Sequence, residues 1–265
     1  AILLEIIFRI LPTSSPVDLQ LISDEKDILR FKPNQSTTFS LGKDFYKVVE
    51  KSTNNYGFYS SYDYDEKSNP DIAIIGDSMI EAAQIKSEDT FGEIIQSENP
   101  GIKVFQFGVS GVPLSQYIQM IKFTEKEFSP RYYAIVVVGN DFDESLCNYR
   151  IKEGTWCFDD NLELVFNPFE GYKGLRAIAR KSAVMRYSVF NVGLNWRGIL
   201  VKLGINDPGL KAKNKYVSDN NQVAADEISM KSLDVIKAFY EELDKMDLLS
   251  RVIIILDADR NKIYD

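Results

Sequence analysis

The chain has 265 residues, 45% of them apolar, enough to bury a substantial core in one domain with room for an appended lobe. Its formal charge is -8, and it has no basic stripe, which argues against nucleic acid and against docking on anionic lipid. It contains no histidine and only two cysteines, so these residues supply neither a zinc site nor an imidazole to activate a nucleophile.

Residues 1–11 are apolar but short and broken by Glu5 and Arg9, so they cannot span a bilayer. Two readings stand side by side: the last turns of a removed membrane anchor or signal segment preceding residue 1, or a small packed helix. The start at Ala1 suggests an engineered or processed fragment. Residues 12–70 are polar and rich in Ser, Asn, Asp and Tyr. Residues 1–70 therefore read as an anchor-proximal N-terminal extension, irregular, with short strands that wrap the core. Asp63-Tyr64-Asp65-Glu66 has the look of a calcium loop, but the glycine and the distal glutamate are missing. A solvated acidic turn explains it better.

From Asp71 the pattern changes, and residues 71–265 read as one α/β domain. Apolar runs at 72–75, 104–107, 134–138 and 252–256 look like buried parallel strands. Helical patterns lie between them. Phe91, Ile94 and Ile95 follow the first strand. Leu114, Tyr117, Ile118, Ile121, Glu125 and Phe128 follow the second at helical spacing. Ile228, Leu233, Ile236, Tyr240 and Leu243 precede the fourth. This alternation predicts a doubly wound parallel sheet with helices on both faces, with ligands bound beyond the carboxyl ends of its strands.

A long insertion, about residues 144–225, separates the third and fourth strands, beside the expected site. It holds Trp156, Trp196, Tyr172 and Tyr187 together with Arg176, Arg180, Arg186 and Arg197. Aromatic faces with charged neighbours suit a sugar chain or an acidic polysaccharide; equally, these residues could build the lobe's own core and surface. Cys147 and Cys157 flank a polar stretch with Gly154. They suggest a disulfide in an oxidising compartment, against the alternative of two free buried thiols.

Three strand ends carry unusual residues: Gly76-Asp77-Ser78, Gly108-Val109-Ser110-Gly111 and Gly139-Asn140-Asp141. Acyl transfer from an ester needs a nucleophilic oxygen and donors for the tetrahedral oxyanion. The Ser78 N–H is one such donor, at a helix start. The glycine at 111 lets a second N–H approach a ligand, and the Asn140 amide is a third. Each piece alone is common, since glycine after a strand usually marks a turn and Asn-Asp often caps a helix. Their order and placement at consecutive strand ends is far less so.

These residues resemble the blocks of the SGNH (GDSL-type) hydrolases. Ser78 in Gly-Asp-Ser-Met matches the nucleophile block, Gly111 in Val-Ser-Gly-Val the glycine block and Asn140 in Gly-Asn-Asp the asparagine block. The resemblance covers roughly residues 70–265 and is strongest in 75–82 and 139–145, which look like a bacterial envelope-associated branch whose members often carry an N-terminal anchor. It implies a flavodoxin-like sheet and a serine esterase or O-acyltransferase. The substrate would be an acyl ester, with acetyl on carbohydrate or extracellular polysaccharide the expected case. The location implied is periplasmic or extracellular, and no cofactor is implied. The family's Asp-x-x-His block is absent here and is expected beyond Asp265. Asp257 and Asp259 end the fourth strand but supply no imidazole, and the one Ser-x-x-Lys match, Ser23 to Lys26, lies outside the α/β core. The alternative is a non-catalytic SGNH-like module that holds glycan or a protein partner. A nucleotide-binding domain ranks below both, because no G-x-G-x-x-G or Walker loop is present.

Overall fold

The computed structural model describes residues 2–22, 28–149, 152–195 and 222–257. Trp196, Arg197, Ser23, Lys26 and Asp259, and the side chains of Arg176 and Ile228, lie outside the described residues.

At the centre is a four-stranded parallel sheet. Its strands are β3 (Ile72–Gly76), β4 (Val104–Gly108), β5 (Tyr132–Val137) and β8 (Val252–Leu256), in the order β4-β3-β5-β8. These are the four apolar runs, the third starting two residues earlier than the sequence suggests. Side chains alternate between two faces. Ala73, Ile75, Phe105, Phe107, Tyr133, Ile135 and Val137 meet α4 (Leu114–Phe128) and α8 (Gln222–Lys245) in the main core. Ile74, Val104, Ala134 and Val136 form a smaller cluster on the other face, with Ile80 and Ile95. Both faces of β4, β3 and β5 are thus covered, while β8 at the edge leaves Ile253 and Leu256 exposed, short of the two-sided burial its apolar run predicts. The order is that of a doubly wound sheet. The topological switch falls between β3 and β5, because β3 connects onward to β4 on one side and β4 then crosses over to β5 on the other.

The helices bear out the expected periodicity unevenly. In α4, Leu114, Tyr117, Ile118, Ile121 and Phe128 are buried as predicted, while Glu125 accepts two hydrogen bonds from Arg251, each 2.9 Å, and so ties α4 to the start of β8. α3 (Phe91–Glu98) differs: Phe91 and Ile94 are exposed, and the helix docks through buried Gly92, whose N–H donates to the Gln106 side chain at 3.2 Å. In α8 the buried face is Val235, Ala238, Phe239 and Leu243, leaving Leu233 and Tyr240 exposed. An apolar arc wider than its partner surface leaves its margins in water.

Ile22, Ile28, Leu29, Phe58 and Tyr64 of the N-terminal segment pack into the same core, whereas its first helix buries no residue. α1 (Ile2–Ile10) places Glu5 on the start of α7 (Ala183–Arg186), where its carboxylate accepts the N–H groups of Ala183 and Val184 at 2.9 and 3.2 Å. Those backbone bonds hold its pKa down to about 2. No helix among the described residues is long and apolar enough to cross a membrane. β1 (Ser36–Leu41) and β2 (Lys47–Ser52) form an antiparallel pair outside the main sheet. Beyond it, tyrosines cover the outer edge of β4. The Tyr64 hydroxyl donates to the Gln106 carbonyl at 2.8 Å and accepts its N–H at 3.0 Å, and the Tyr62 hydroxyl donates to the Val104 carbonyl. An open edge is a template for unwanted pairing; here two phenols occupy its polar groups.

Candidate active site

The site is built where β3, β4 and β5 end. The register pairs Gly76 with Gly108 and Ile75 with Ile135, so the chain leaves the sheet at a common level in three adjacent strands. After β3, Asp77 caps the short helix α2 (Ser78–Glu81): one carboxylate oxygen accepts the Met79 N–H at 2.9 Å. The other accepts the Ser78 hydroxyl at 3.2 Å. Asp77 is buried and Ser78 is exposed, so the turn presents a hydroxyl to solvent on a buried acidic support.

A glycine on the neighbouring strand leaves room for this turn. A Cβ on Gly108 would lie 2.1 Å from the Glu81 nitrogen and 2.4 Å from the Ile80 carbonyl carbon, both backbone atoms that cannot swing aside. Gly108→Ala is therefore expected to destabilise the protein by about 3 kcal/mol, at the upper end of overpacking costs. Urea denaturation measures it, and a change under about 0.5 kcal/mol, the size of an ordinary surface substitution, would mean that α2 does not sit on β4. After β4, Gly111 turns the chain with φ +68, the left-handed region. Its N–H has no partner among the described residues.

After β5, α5 (Asn140–Asp143) places Asn140 at the surface, where its side-chain amide has no partner among the described residues. Asp141 beside it is wholly buried. One carboxylate oxygen accepts the Tyr117 hydroxyl at 2.9 Å and the Val138 N–H at 2.8 Å, and the other has no partner among the described residues. Burial pushes the Asp141 pKa up to about 8 against those two bonds, with the negative charge of Asp77 adding to the rise. The same charge acts on Tyr117, whose pKa is also raised, chiefly by burial. The ends of β3 and β5 are thus electrostatically coupled.

The raised value has a sign. Between the ordinary aspartate range and about pH 8, Asp141 stays protonated when folded and ionised when unfolded. Its stabilising contribution is complete below its unfolded pKa and is lost as pH rises through 8. Asp141→Asn, which keeps the acceptor for Tyr117 and Val138, is expected to flatten the decline in stability from pH 5 to 8. Urea midpoints of both proteins at the two pH values check this, and parallel slopes would reject it.

The structure thus sets all three predicted residues, Ser78, Gly111 and Asn140, at one pole of the sheet on neighbouring strands. It also shows partners that the motifs do not name. Glu81, nearly fully buried, accepts the Ser110 N–H; burial raises its pKa, opposed by the bonds from Ser110 and by the charges of Lys152 and Lys51. A carboxylate inside the apolar stretch 79–83 was the available signal. Lys51 donates to the Ala82 carbonyl at 2.9 Å, and burial lowers its pKa to about 8. Lys152 donates to the carbonyls of Ser110 and Gly111 at 2.7 and 3.0 Å.

Cys147 and Cys157 form a disulfide, with Sγ–Sγ 2.03 Å and Cα–Cα 5.1 Å. The loop it closes is fastened to the start of α4: the Ser115 hydroxyl donates to the Trp156 carbonyl at 2.8 Å, and the Trp156 N–H donates to Gln116 at 3.0 Å. Several of the insertion's other described aromatic and cationic residues make structural contacts. Trp156 lies against Phe166, Tyr187 stacks on Phe8, and Arg186 donates to the Ser14 carbonyl. Arg180 lies over Tyr172, 4.1 Å from the ring centroid. A cavity of about 400 Å³ opens beside that pair, lined by Asp18, Lys32, Tyr172, Arg180 and Lys181 among others; Ser78, Gly111 and Asn140 are not part of its wall. Asp257 follows β8, its N–H donating to the Val137 carbonyl at 2.9 Å. Among the described residues, no group of three or more His, Cys, Asp or Glu could hold a metal ion.

No protein-family model matches the chain, and no curated protein matches it.

Proposed function

We propose that the chain is the core of an SGNH-type serine esterase or O-acyltransferase. Ser78 attacks an acyl ester, and the Ser78 N–H, the Gly111 N–H and the Asn140 side-chain amide receive the oxyanion. The observation that carries this is an exposed serine hydroxyl together with Gly111 and Asn140 donors that have no partner among the described residues, at the carboxyl ends of three adjacent parallel strands. Donors left unpaired by the protein are free to bind charge that develops during reaction. The Ser78 hydroxyl bonds to a carboxylate, not an imidazole, so this reading draws its general base from a histidine outside the 265 residues.

Acetyl esters of carbohydrate or extracellular polysaccharide are the substrate class, on the strength of the family resemblance. The disulfide supports a location in the bacterial envelope, periplasmic or extracellular.

The absence of histidine from the sequence favours a second reading, a non-catalytic module that holds glycan or a protein partner in the same cleft. Hydrolysis of p-nitrophenyl acetate by the full reading frame, with and without Ser78→Ala, separates the two. A folded protein no faster than its Ser78→Ala variant leaves only the binding module.

A further inference from the structure

The turn at Ser110 and Gly111 is gripped from two sides. The Ser110 N–H donates to the buried Glu81 carboxylate. The Lys152 ammonium donates to the Ser110 carbonyl at 2.7 Å and to the Gly111 carbonyl at 3.0 Å. In a trans peptide the carbonyl and the next N–H point in opposite directions. Fixing the Ser110 carbonyl on Lys152 therefore turns the Gly111 N–H away from the ammonium, and that N–H has no partner among the described residues. A cation on the carbonyl also polarises the peptide and makes its N–H a stronger donor.

A lysine on a surface loop normally keeps its ammonium in water on a flexible stem. Here the loop itself is held. The disulfide closes it between Cys147 and Cys157. The Gly154 N–H donates to the Asn167 carbonyl at 2.6 Å, the Thr155 hydroxyl donates to the Lys152 carbonyl at 2.8 Å, and the Trp156 N–H reaches Gln116. Glu81, on the far side of the turn, is within electrostatic reach of both Lys152 and Lys51 from β2.

We infer that Lys152, presented by the Cys147–Cys157 loop, is a positioning residue that aims the Gly111 N–H at the site where an oxyanion would form. This rests on the esterase reading for its catalytic consequence but not for its geometry. The tests use the full reading frame and three variants: Lys152→Met, Lys152→Arg and Cys147→Ser/Cys157→Ser. In protein labelled with 15N only at glycine, the Gly111 amide resonance should move in Lys152→Met and in the double serine variant, and return toward its original position in Lys152→Arg. With p-nitrophenyl acetate, Lys152→Met should lower kcat roughly 10- to 100-fold, the scale of a donor misplaced by about an ångström. KM should change less than about twofold, since ground-state binding is not the target. Lys152→Arg should recover most of the rate. An unmoved Gly111 resonance in folded Lys152→Met overturns the inference, as does an arginine variant as slow as the methionine one. If the parent protein is no faster than Ser78→Ala, the esterase reading fails. The glycine resonance then still decides the geometry, because its displacement does not depend on turnover.

Discussion

Replacing Ser78 with alanine is expected to lower kcat for p-nitrophenyl acetate by about 10⁴-fold or more in the full reading frame. Loss of the attacking oxygen removes the covalent route, and what survives is the rate that the donors and binding alone provide. Asn140→Ala is expected to be milder, about 10²- to 10³-fold in kcat, the usual cost of one oxyanion donor. Neither should cost much stability. Both side chains are exposed, Asn140 makes no side-chain hydrogen bond among the described residues, and Ser78 makes one to Asp77. Steady-state kinetics with circular dichroism as the folding control check this. If Asn140→Ala leaves kcat unchanged while Ser78→Ala abolishes it, Asn140 drops out of the oxyanion site.

Phe105→Ala should be the most destabilising of the simple core truncations, at about 3–5 kcal/mol, a large share of the ~5–15 kcal/mol of a typical domain. Phe105 is 2% exposed, stacks on Tyr64 with ring centroids 4.0 Å apart and meets Phe128 edge-on at 5.3 Å. The aromatic cavity cannot collapse easily, because Tyr64 is also held by its two hydrogen bonds to Gln106. Urea unfolding followed by far-UV circular dichroism and tyrosine fluorescence should shift together. Destabilisation below about 1 kcal/mol, near the low end for core changes, would show that the N-terminal tyrosines do not pack on β4.

The inner strands were legible in the sequence because parallel strands buried on both faces are largely apolar, as in Ile72–Gly76. Val252–Leu256 has the same apolar run but lies at the sheet edge, with Ile253 and Leu256 exposed, so its apolar run did not mean burial on both faces. The strand ends were legible as motifs: Ser78, Gly111 and Asn140 follow their strands at once. The rest depends on contacts distant in sequence. Tyr62 and Tyr64 sit in a polar segment with weak periodicity, and their partners are 42 residues away. Lys152 reaches the Gly111 turn from 41 residues downstream, with no local pattern to mark it. The docking face of α3 was misread for a related reason: glycine has no hydropathy to announce that it is the residue pressed against Gln106.

The sheet order carries a consequence for biogenesis. β8 pairs with β5, Tyr133 with Val252 through Val137 with Leu256. While the chain is being made, the edge of β5 must wait for its partner through roughly 115 further residues, about 6–23 s at ordinary rates of synthesis. Throughout that interval an apolar strand, Tyr132–Val137, has one side without a neighbour, and the Arg251 clamp on Glu125 does not yet exist. The nascent protein is at its most adhesive just before Val252–Leu256 arrives, and in that window a holding chaperone would have the most to protect.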